Sequence, residues 1–328
     1  MSKHRRYPIF RSALGEYFQQ YVNDKRAVGY HYDSMAWDLS RFDRFLTERG
    51  LREKKLPERL VREWIIKRPN EHEITHRHRI KVAMLMGEYL VVQGVDAYVP
   101  DSRLSPRIIS DFRARIFTHQ EVESILVAAD KMPPRPSSPL QHIVMPLIFR
   151  ILYGCGMRSG EVVRLKMRDV DLDSGILTVI QGKFRKDRLV PMSRSLTARI
   201  HDFVKSHRAV AGADDYLFPS PCGGGYDNHR VYSIFRDLLW RAGIAHGGPG
   251  EGPRVHDLRH TFAVHRLEAW YEQGEDLGVL LPALSTYMGH VELSSTQWYL
   301  QMTADMYPKL LSRLESCFSD LLPKGGER

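Results

Sequence analysis

The sequence predicts a mainly α protein with two domains. A four-helix domain is expected over residues 1–110, and a mostly helical domain with a small three-stranded antiparallel sheet over 111–328. Three observations support this prediction. Apolar residues recur at helical spacing through most of the chain, one segment alternates as strands do, and two prolines within Val99–Arg107 favour an extended connector near residue 110. A chain of 328 residues also exceeds the roughly 250 at which single cores stop growing.

The first domain is predicted to contain four amphipathic helices. Their apolar positions indicate Ala13–Val22, Asp33–Arg49, Leu60–Ile66 and Ile80–Val92. Asp33 or Ser34 is the expected N-cap of the second helix, and Gly50 follows its end. The cation-rich stretch 76–79 precedes the fourth helix. Each helix has one apolar face, so the four are expected to form a small bundle.

The second domain begins with a capping box, Thr118 to Glu121, ahead of a helix over Val122–Ala129. A buried helix is expected over Leu140–Tyr153. The sheet is predicted as a meander with strands Arg168–Asp173, Ile176–Ile180 and Arg188–Met192. Further helices are predicted over Leu196–Val204, Asn228–Ala242, Val255–Tyr271, Val279–Tyr287, Ser294–Leu300 and Pro308–Leu321.

Charge is unevenly distributed along the chain. Residues 1–116 contain 23 Lys and Arg against 15 Asp and Glu, which is +8 of the total net charge of +9. Such an excess suits a polyanionic partner, because each neutralised phosphate releases condensed counterions. A solvated basic face that keeps the protein soluble is the alternative, and charge alone does not separate the two.

Composition indicates a globular protein that stays in the cytoplasm. Hydrophobic residues make up 43% and charged residues 27%, and the longest apolar stretch, 143–155, is interrupted by Pro146 and Arg150. Neither a membrane span nor a secretion signal is expected. The cysteines are odd in number and far apart, which favours reduced thiols over a disulfide framework.

Two motifs present cationic side chains at predicted helix starts. Arg158 follows a glycine-rich turn and is expected to open a helix through Val162, Val163 and Leu165. A guanidinium there adds a bidentate donor to the free N–H groups of the helix start, which suits a phosphate. His256 and Arg259 are three residues apart and lie on one face of another helix start. Considered alone, the Arg158 motif is a weak signal, and a surface role for His256 and Arg259 stays open.

A zinc site is an alternative for the second motif, because His256, His260 and His265 recur along one helix. The motif lacks the glutamate of H-E-x-x-H and has no cysteine partner, so no metal is expected.

Two further residues could supply proton transfer and nucleophilic attack. Lys183 lies in the basic turn between two predicted strands, where its ammonium could protonate a departing alkoxide. Tyr299 follows His290 by nine residues and is the candidate nucleophile, since nearby cations lower the cost of a phenolate. A basic hairpin tip and a core tyrosine are the ordinary alternatives. Together the candidates suit a DNA strand-transfer site without a metal.

These motifs resemble the tyrosine recombinase, or phage integrase, family. The matching residues are Gly156, Arg158 and Glu161; Gly182-Lys183 followed by Arg188-Leu189-Val190-Pro191; H-x-x-R-H-T-F-A at 256–263; and G-H-x-x-L-S-S-T-Q-x-Y at 289–299. Each motif is modest, but their order makes the set specific. The segment between Arg259 and His290 is longer than in compact Xer-type members and looks similar to transposon-associated ones.

The resemblance implies a core-binding domain that clamps DNA, followed by a catalytic domain. It implies attack by Tyr299 to form a 3′-phosphotyrosyl bond, with Arg158, Arg259 and His290 on the phosphate. Lys183 would act as the acid and His256 would assist proton transfer. No cofactor is implied; double-stranded DNA is the expected partner of a homotetramer, with companion recombinases as further candidates. The alternatives are a type IB topoisomerase and a non-catalytic DNA-binding protein derived from a recombinase.

Overall fold

The computed structural model describes residues 8–30, 32–107, 114–180, 187–248 and 252–290, together with Thr296 and Tyr299. The chain divides into two compact units, Met1–Phe112 and Arg113–Arg328. The predicted helix over 308–321 lies outside the described residues, as does the one over 294–300 apart from Thr296 and Tyr299. None of the described helices is long and apolar enough to cross a membrane.

The first unit contains the four predicted helices. They are α1 (Gly15–Ala27), α2 (Asp33–Glu48), α3 (Glu58–Ile65) and α4 (Glu73–Val92). Their apolar faces enclose one core, in which Phe18 packs on Phe42 and Phe42 on Trp64, with ring centroids 5.9 and 4.9 Å apart. Gly50 lies just past α2 with φ of +69°, as predicted.

Two boundaries in this unit differ from the predictions. The N-cap of α2 is Tyr32, in the left-handed region and without a side-chain cap bond, so neither Asp33 nor Ser34 caps the helix. Helix α4 begins at Glu73, seven residues earlier than predicted. Its first two turns contain few apolar residues. One side chain of these turns that faces the core is Arg79, which is buried in an ion pair with Glu71, 2.7 Å away. Apolar periodicity could not indicate a charged side chain that faces the core.

The second unit is built around a buried helix, α6. Its helices are α5 (His119–Asp130), α6 (Gln141–Gly154), α7 (Ser159–Val162), α8 (Arg194–His207), α9 (Asn228–Arg241), α10 (Asp257–Glu272) and α11 (Leu277–Met288). Helices α5, α8 and α10 all pack against α6. The predicted capping box is present, since Thr118 accepts from the Glu121 N–H and Glu121 from the Thr118 N–H.

The sheet is the predicted antiparallel meander of three strands, β1 (Val170–Asp171), β2 (Ile176–Val179) and β3 (Arg188–Pro191). Val179 pairs with Arg188 and Ile176 with Pro191. The first strand is shorter than predicted, because Met167–Asp169 forms a 3₁₀ turn. Strand β3 lies against α11, which places Arg188 beside the end of that helix.

Helix α7 is shorter than expected. Arg158 stands at its N-cap as predicted, but the helix ends at Val162 instead of continuing to Leu165. The Leu165 carbonyl accepts from the backbone N–H of Leu217, so the chain has left the helix by that point.

Candidate active site

Two guanidinium groups meet the C-terminal end of α11. The helix ends in Gly289, whose φ of +69° lies in the left-handed region that favours glycine. Arg259 donates from Nη2 to the Met288 carbonyl at 2.7 Å, and Arg158 donates from Nη2 to the Gly289 carbonyl at 3.2 Å. Adjacent carbonyls of one turn therefore bind both arginines and bring their positive charges together.

Arg259 is more deeply buried than Arg158, with 1% of its surface exposed. Its Nη1 donates to the Gly156 carbonyl at 2.6 Å. Burial, reinforced by the charge of Arg158, lowers the pKa of Arg259 to about 10. The side chain is still a cation at neutral pH, and a bound anion would relieve the cost of burying it.

Glu161 orients Arg158 from within the same short helix. Its Oε2 accepts from the Arg158 backbone N–H at 3.0 Å, and its Oε1 accepts from the Arg158 Nη1 at 2.9 Å. The guanidinium is 22% exposed and the carboxylate 3%. Arg158 is thus fixed from one side while part of it faces solvent.

Arg188 completes this network, although it is not among the six predicted site residues. It donates to both carboxylate oxygens of Glu161, at 2.8 and 3.1 Å, and to the Tyr287 carbonyl at 2.9 Å. Burial would raise the pKa of Glu161, but Arg188 and then Arg158 outweigh it and bring that pKa to about 2. The carboxylate is therefore ionised and committed to two arginines. The signal available in the sequence was the place of Arg188 in the motif that follows Gly182-Lys183.

His290 lies between Arg259 and Thr296. Its Nε2 is 2.9 Å from Arg259 Nη2, and its Nδ1 is 2.7 Å from Thr296 Oγ1. Because a guanidinium only donates, Nε2 must accept, and the ring hydrogen lies on Nδ1 and is donated to Thr296. Burial, together with Arg259 and Arg158, lowers the pKa of His290 to about 3, so the ring is neutral.

The Tyr299 side chain is 2% exposed, and its hydroxyl lies 3.1 Å from His260 Nδ1. Its ring stacks on His290, with centroids 6.0 Å apart. Burial raises the pKa of Tyr299, although the charge of Arg259 and a hydrogen bond from it act in the opposite direction. The phenol is therefore protonated in the absence of a ligand.

His256 occupies the N-cap position of α10 and is exposed. Its ring meets that of His260 edge to face, with centroids 4.8 Å apart. The packing around the ring and the charges of Arg259 and Arg158 lower the pKa of His256 to about 4. The sequence analysis proposed His256 to assist the tyrosine, whereas the imidazole bonded to the Tyr299 hydroxyl is that of His260.

Five of the six predicted site residues therefore lie in one cluster: Arg158, His256, Arg259, His290 and Tyr299. Lys183, the sixth, lies outside the described residues, between the observed strands β2 and β3. The cluster contains cations, neutral imidazoles and a protonated phenol, and its carboxylate is already paired. Such a site can bind an anion and provide an oxygen nucleophile.

The histidines of α10 do not converge as the zinc alternative requires. His260 bonds to Tyr299, whereas His265 stacks on His119 with ring centroids 3.8 Å apart. The ligand atoms of His119, His265 and Glu268 lie within 4.8 Å of one another. Because the two rings are nearly parallel, their nitrogen lone pairs point in similar directions and do not converge on one point. The Tyr153 hydroxyl also lies 3.0 Å from His265 Nδ1 and hydrogen-bonds to it. This arrangement favours ring stacking over metal ligation.

Comparison with known proteins identifies the family. The model of the phage integrase family matches residues 115–306, which include all six predicted site residues. The chain belongs to the phage integrase family of tyrosine recombinases. It is thus an enzyme of the tyrosine-type site-specific DNA recombinase class.

Individual relatives agree with this assignment. The protein y4rB of Sinorhizobium fredii, named as an integrase/recombinase, is 32% identical over 95% of this chain and 98% of its own. The tyrosine recombinase XerA of Thermococcus kodakarensis is 32% identical over 66% of this chain and 71% of its own. The XerH recombinase, crystallised with a palindromic difH substrate, shares the fold at a TM-score of 0.61, with 18% identity over 93% of this chain and 84% of its own.

The Gly156 carbonyl accepts a hydrogen bond from Arg259, so a substitution at Gly156 tests how the backbone holds that arginine. Gly156 has φ of +57°, and a Cβ there would lie 2.3 Å from the Phe262 ring. We expect Gly156→Ala to lower the free energy of unfolding by roughly 2 kcal/mol or more, from backbone strain and steric clash. Thermal unfolding measures this. The control is Gly154→Ala, whose Cβ would meet only Leu196 at 3.9 Å. If Gly156→Ala and Gly154→Ala lost the same free energy of unfolding, the predicted strain and clash at Gly156 would be contradicted.

Proposed function

We propose that this enzyme cleaves and rejoins DNA through a covalent 3′-phosphotyrosyl bond at Tyr299, without a metal. The observation that supports this most is that a buried phenol shares a site with two guanidinium groups bound to adjacent carbonyls. A phosphodiester placed on Arg158 and Arg259 would have an oxygen nucleophile beside it. The paired state of Glu161 supports a cation-based site.

The chemistry follows from these side chains. The Tyr299 oxygen attacks phosphorus, and the bond to the 5′ oxygen breaks. Arg158 and Arg259 stabilise the charge that develops on the non-bridging oxygens. Lys183 protonates the departing 5′ oxygen. Since the phosphotyrosine retains the bond energy, a 5′-hydroxyl from another strand reverses the step and reseals the DNA.

His290 requires a change of hydrogen bonding to take part. Its Nε2 accepts from Arg259 in the DNA-free protein. To donate to a phosphate oxygen, this nitrogen must gain a proton. Burial and the charges of Arg259 and Arg158 lower the pKa of His290, and a phosphate bound to the arginines would offset part of their charge and favour this proton.

The partner we propose is double-stranded DNA, bound by a homotetramer because exchange between two duplexes involves four strands. Residues 1–116 carry +8 of the net charge, which suits phosphate binding. Within the first unit, a groove beside α2 and α4 is lined by basic side chains and by carboxylates, some of which pair with them: Arg41, Arg44, Arg68 and His78, with Asp38, Glu48 and Glu71. We propose that this unit clamps the duplex, while the second unit carries out the chemistry.

Removal of the phenolic hydroxyl tests the nucleophile. We expect Tyr299→Phe to abolish covalent protein–DNA adducts, since the ring is retained and only the attacking oxygen is lost. Denaturing gels of the full-length protein with DNA measure the adduct, and mobility shifts measure binding, which is expected to persist. Tyr287→Phe is the matched control, because Tyr287 lies near the same turn and its hydroxyl bonds the Pro191 carbonyl. Adducts that survive in Tyr299→Phe would place the nucleophile elsewhere.

Metal removal tests the proposed electrostatics. Cleavage is expected to proceed at an unchanged rate in EDTA, because guanidinium groups supply the positive charge that a metal ion would otherwise provide. Rates of adduct formation with EDTA, with EDTA plus Mg²⁺ and without chelator give the comparison. A strict requirement for a divalent ion would refute the metal-independent mechanism.

A further inference from the structure

His260 contacts the Tyr299 hydroxyl, although it is not among the six predicted site residues. It follows Arg259 on α10 and is 9% exposed. Its Nδ1 lies 3.1 Å from the Tyr299 hydroxyl, and the two rings are tilted with centroids 5.5 Å apart. The imidazole is therefore positioned by the same helix that positions the phosphate-binding guanidinium.

The direction of this hydrogen bond follows from the groups around it. Arg259 is a donor to the phenolic oxygen. Burial and the nearby His256, Arg254 and Arg259 lower the pKa of His260 to about 3, so its ring is neutral. With Arg259 donating to the phenolic oxygen, we infer that this oxygen donates its own hydrogen to His260 Nδ1, which places the ring hydrogen of His260 on Nε2.

We propose that His260 is the catalytic base that accepts the Tyr299 proton during strand cleavage and returns it during rejoining. This inference rests on the proposed function, in which Tyr299 is the nucleophile. It assigns to His260 the step that the sequence analysis gave to His256. The assignment rests on the direct contact between Nδ1 and the hydroxyl, and on the exposed, edge-on position of the His256 ring.

The step balances in atoms and electrons. A phenolic lone pair forms the O–P bond, and the phenolic proton moves to His260 Nδ1, which becomes part of an imidazolium. The P–O5′ bond breaks, and its electron pair remains on the 5′ oxygen, which takes a proton from Lys183. In rejoining, the 5′-hydroxyl oxygen attacks phosphorus and its proton returns to Lys183, the O–P bond to Tyr299 breaks, and the imidazolium of His260 returns its proton to the phenolic oxygen.

The substrate itself makes His260 a stronger base. Among the described residues, His256, Arg254 and Arg259, from α10 and the turn before it, act on the His260 ring, and the Tyr299 phenol lies beside it. Among these, the arginines oppose protonation. A phosphodiester on Arg259 offsets part of that positive charge, so proton transfer to His260 becomes easier once DNA is bound. Without a bound phosphodiester, His260 is therefore a weak base.

His260→Asn is the informative variant. The amide oxygen of asparagine can occupy the position of Nδ1 and accept the hydrogen bond, but it does not take up the proton. The sequence of the DNA recovered from covalent complexes of the wild-type protein gives the cleavage site. A substrate of that sequence with a nick beside the site traps the adduct. We expect adduct formation about 10²- to 10⁴-fold slower in both His260→Asn and His260→Ala. DNA binding is expected to be unchanged.

His265→Asn on the same helix is the matched control and is expected to react at the wild-type rate. Thermal unfolding verifies that each variant is folded. If His260→Asn reacts as fast as the wild type, His260 only positions the hydroxyl and the proposal is overturned. If the wild-type protein forms no adduct that depends on Tyr299, the proposed function itself fails, so the two failures are distinct.

A substrate with sulfur at the bridging 5′ position isolates the step. A thiolate leaves without a proton, so this substrate is expected to restore the rate of Lys183→Ala but not that of His260→Asn. Recovery of His260→Asn with the sulfur substrate would assign His260 to the leaving group and would overturn the proposal.

Discussion

The attachment of two guanidinium groups to one helix end is the interaction on which the rest of the site depends. The last turn of α11 offers the carbonyls of Met288 and Gly289 to Arg259 and Arg158. The two guanidinium groups repel each other, and the negative end of the α11 dipole lowers the free-energy cost of bringing them together. A side chain at 289 would require a strained backbone and would approach the Arg188 guanidinium at 3.1 Å. Glycine at this position therefore allows both contacts.

The electrostatics of the site oppose ionisation of the Tyr299 phenol. Burial lowers the pKa of His260 and of His290 to about 3, packing around the more exposed His256 ring lowers its pKa to about 4, and nearby arginines reinforce each shift, so the imidazoles are neutral. The same burial raises the pKa of the Tyr299 phenol. Both effects oppose formation of the phenolate in the free enzyme. In the proposed mechanism, a bound phosphate counters the first effect, so that DNA binding favours ionisation of the Tyr299 phenol.

Periodicity and motif order predicted much of this protein. Helix positions followed apolar spacing, because most helices bury one face, and five predicted site residues lie in one cluster. The start of α4 was missed because its buried Arg79 is charged and paired with Glu71. Arg188 and His260 were missed as site residues, since their roles depend on contacts with residues 27 and 39 positions away in the chain.

The most direct test of the central claim is to map the covalent bond. The wild-type protein is trapped on DNA and digested with nuclease and protease, and the modified peptide is sequenced by mass spectrometry. We predict a nucleotide joined through its 3′-phosphate to Tyr299. Attachment to any other residue, or through a 5′-phosphate, would contradict the account.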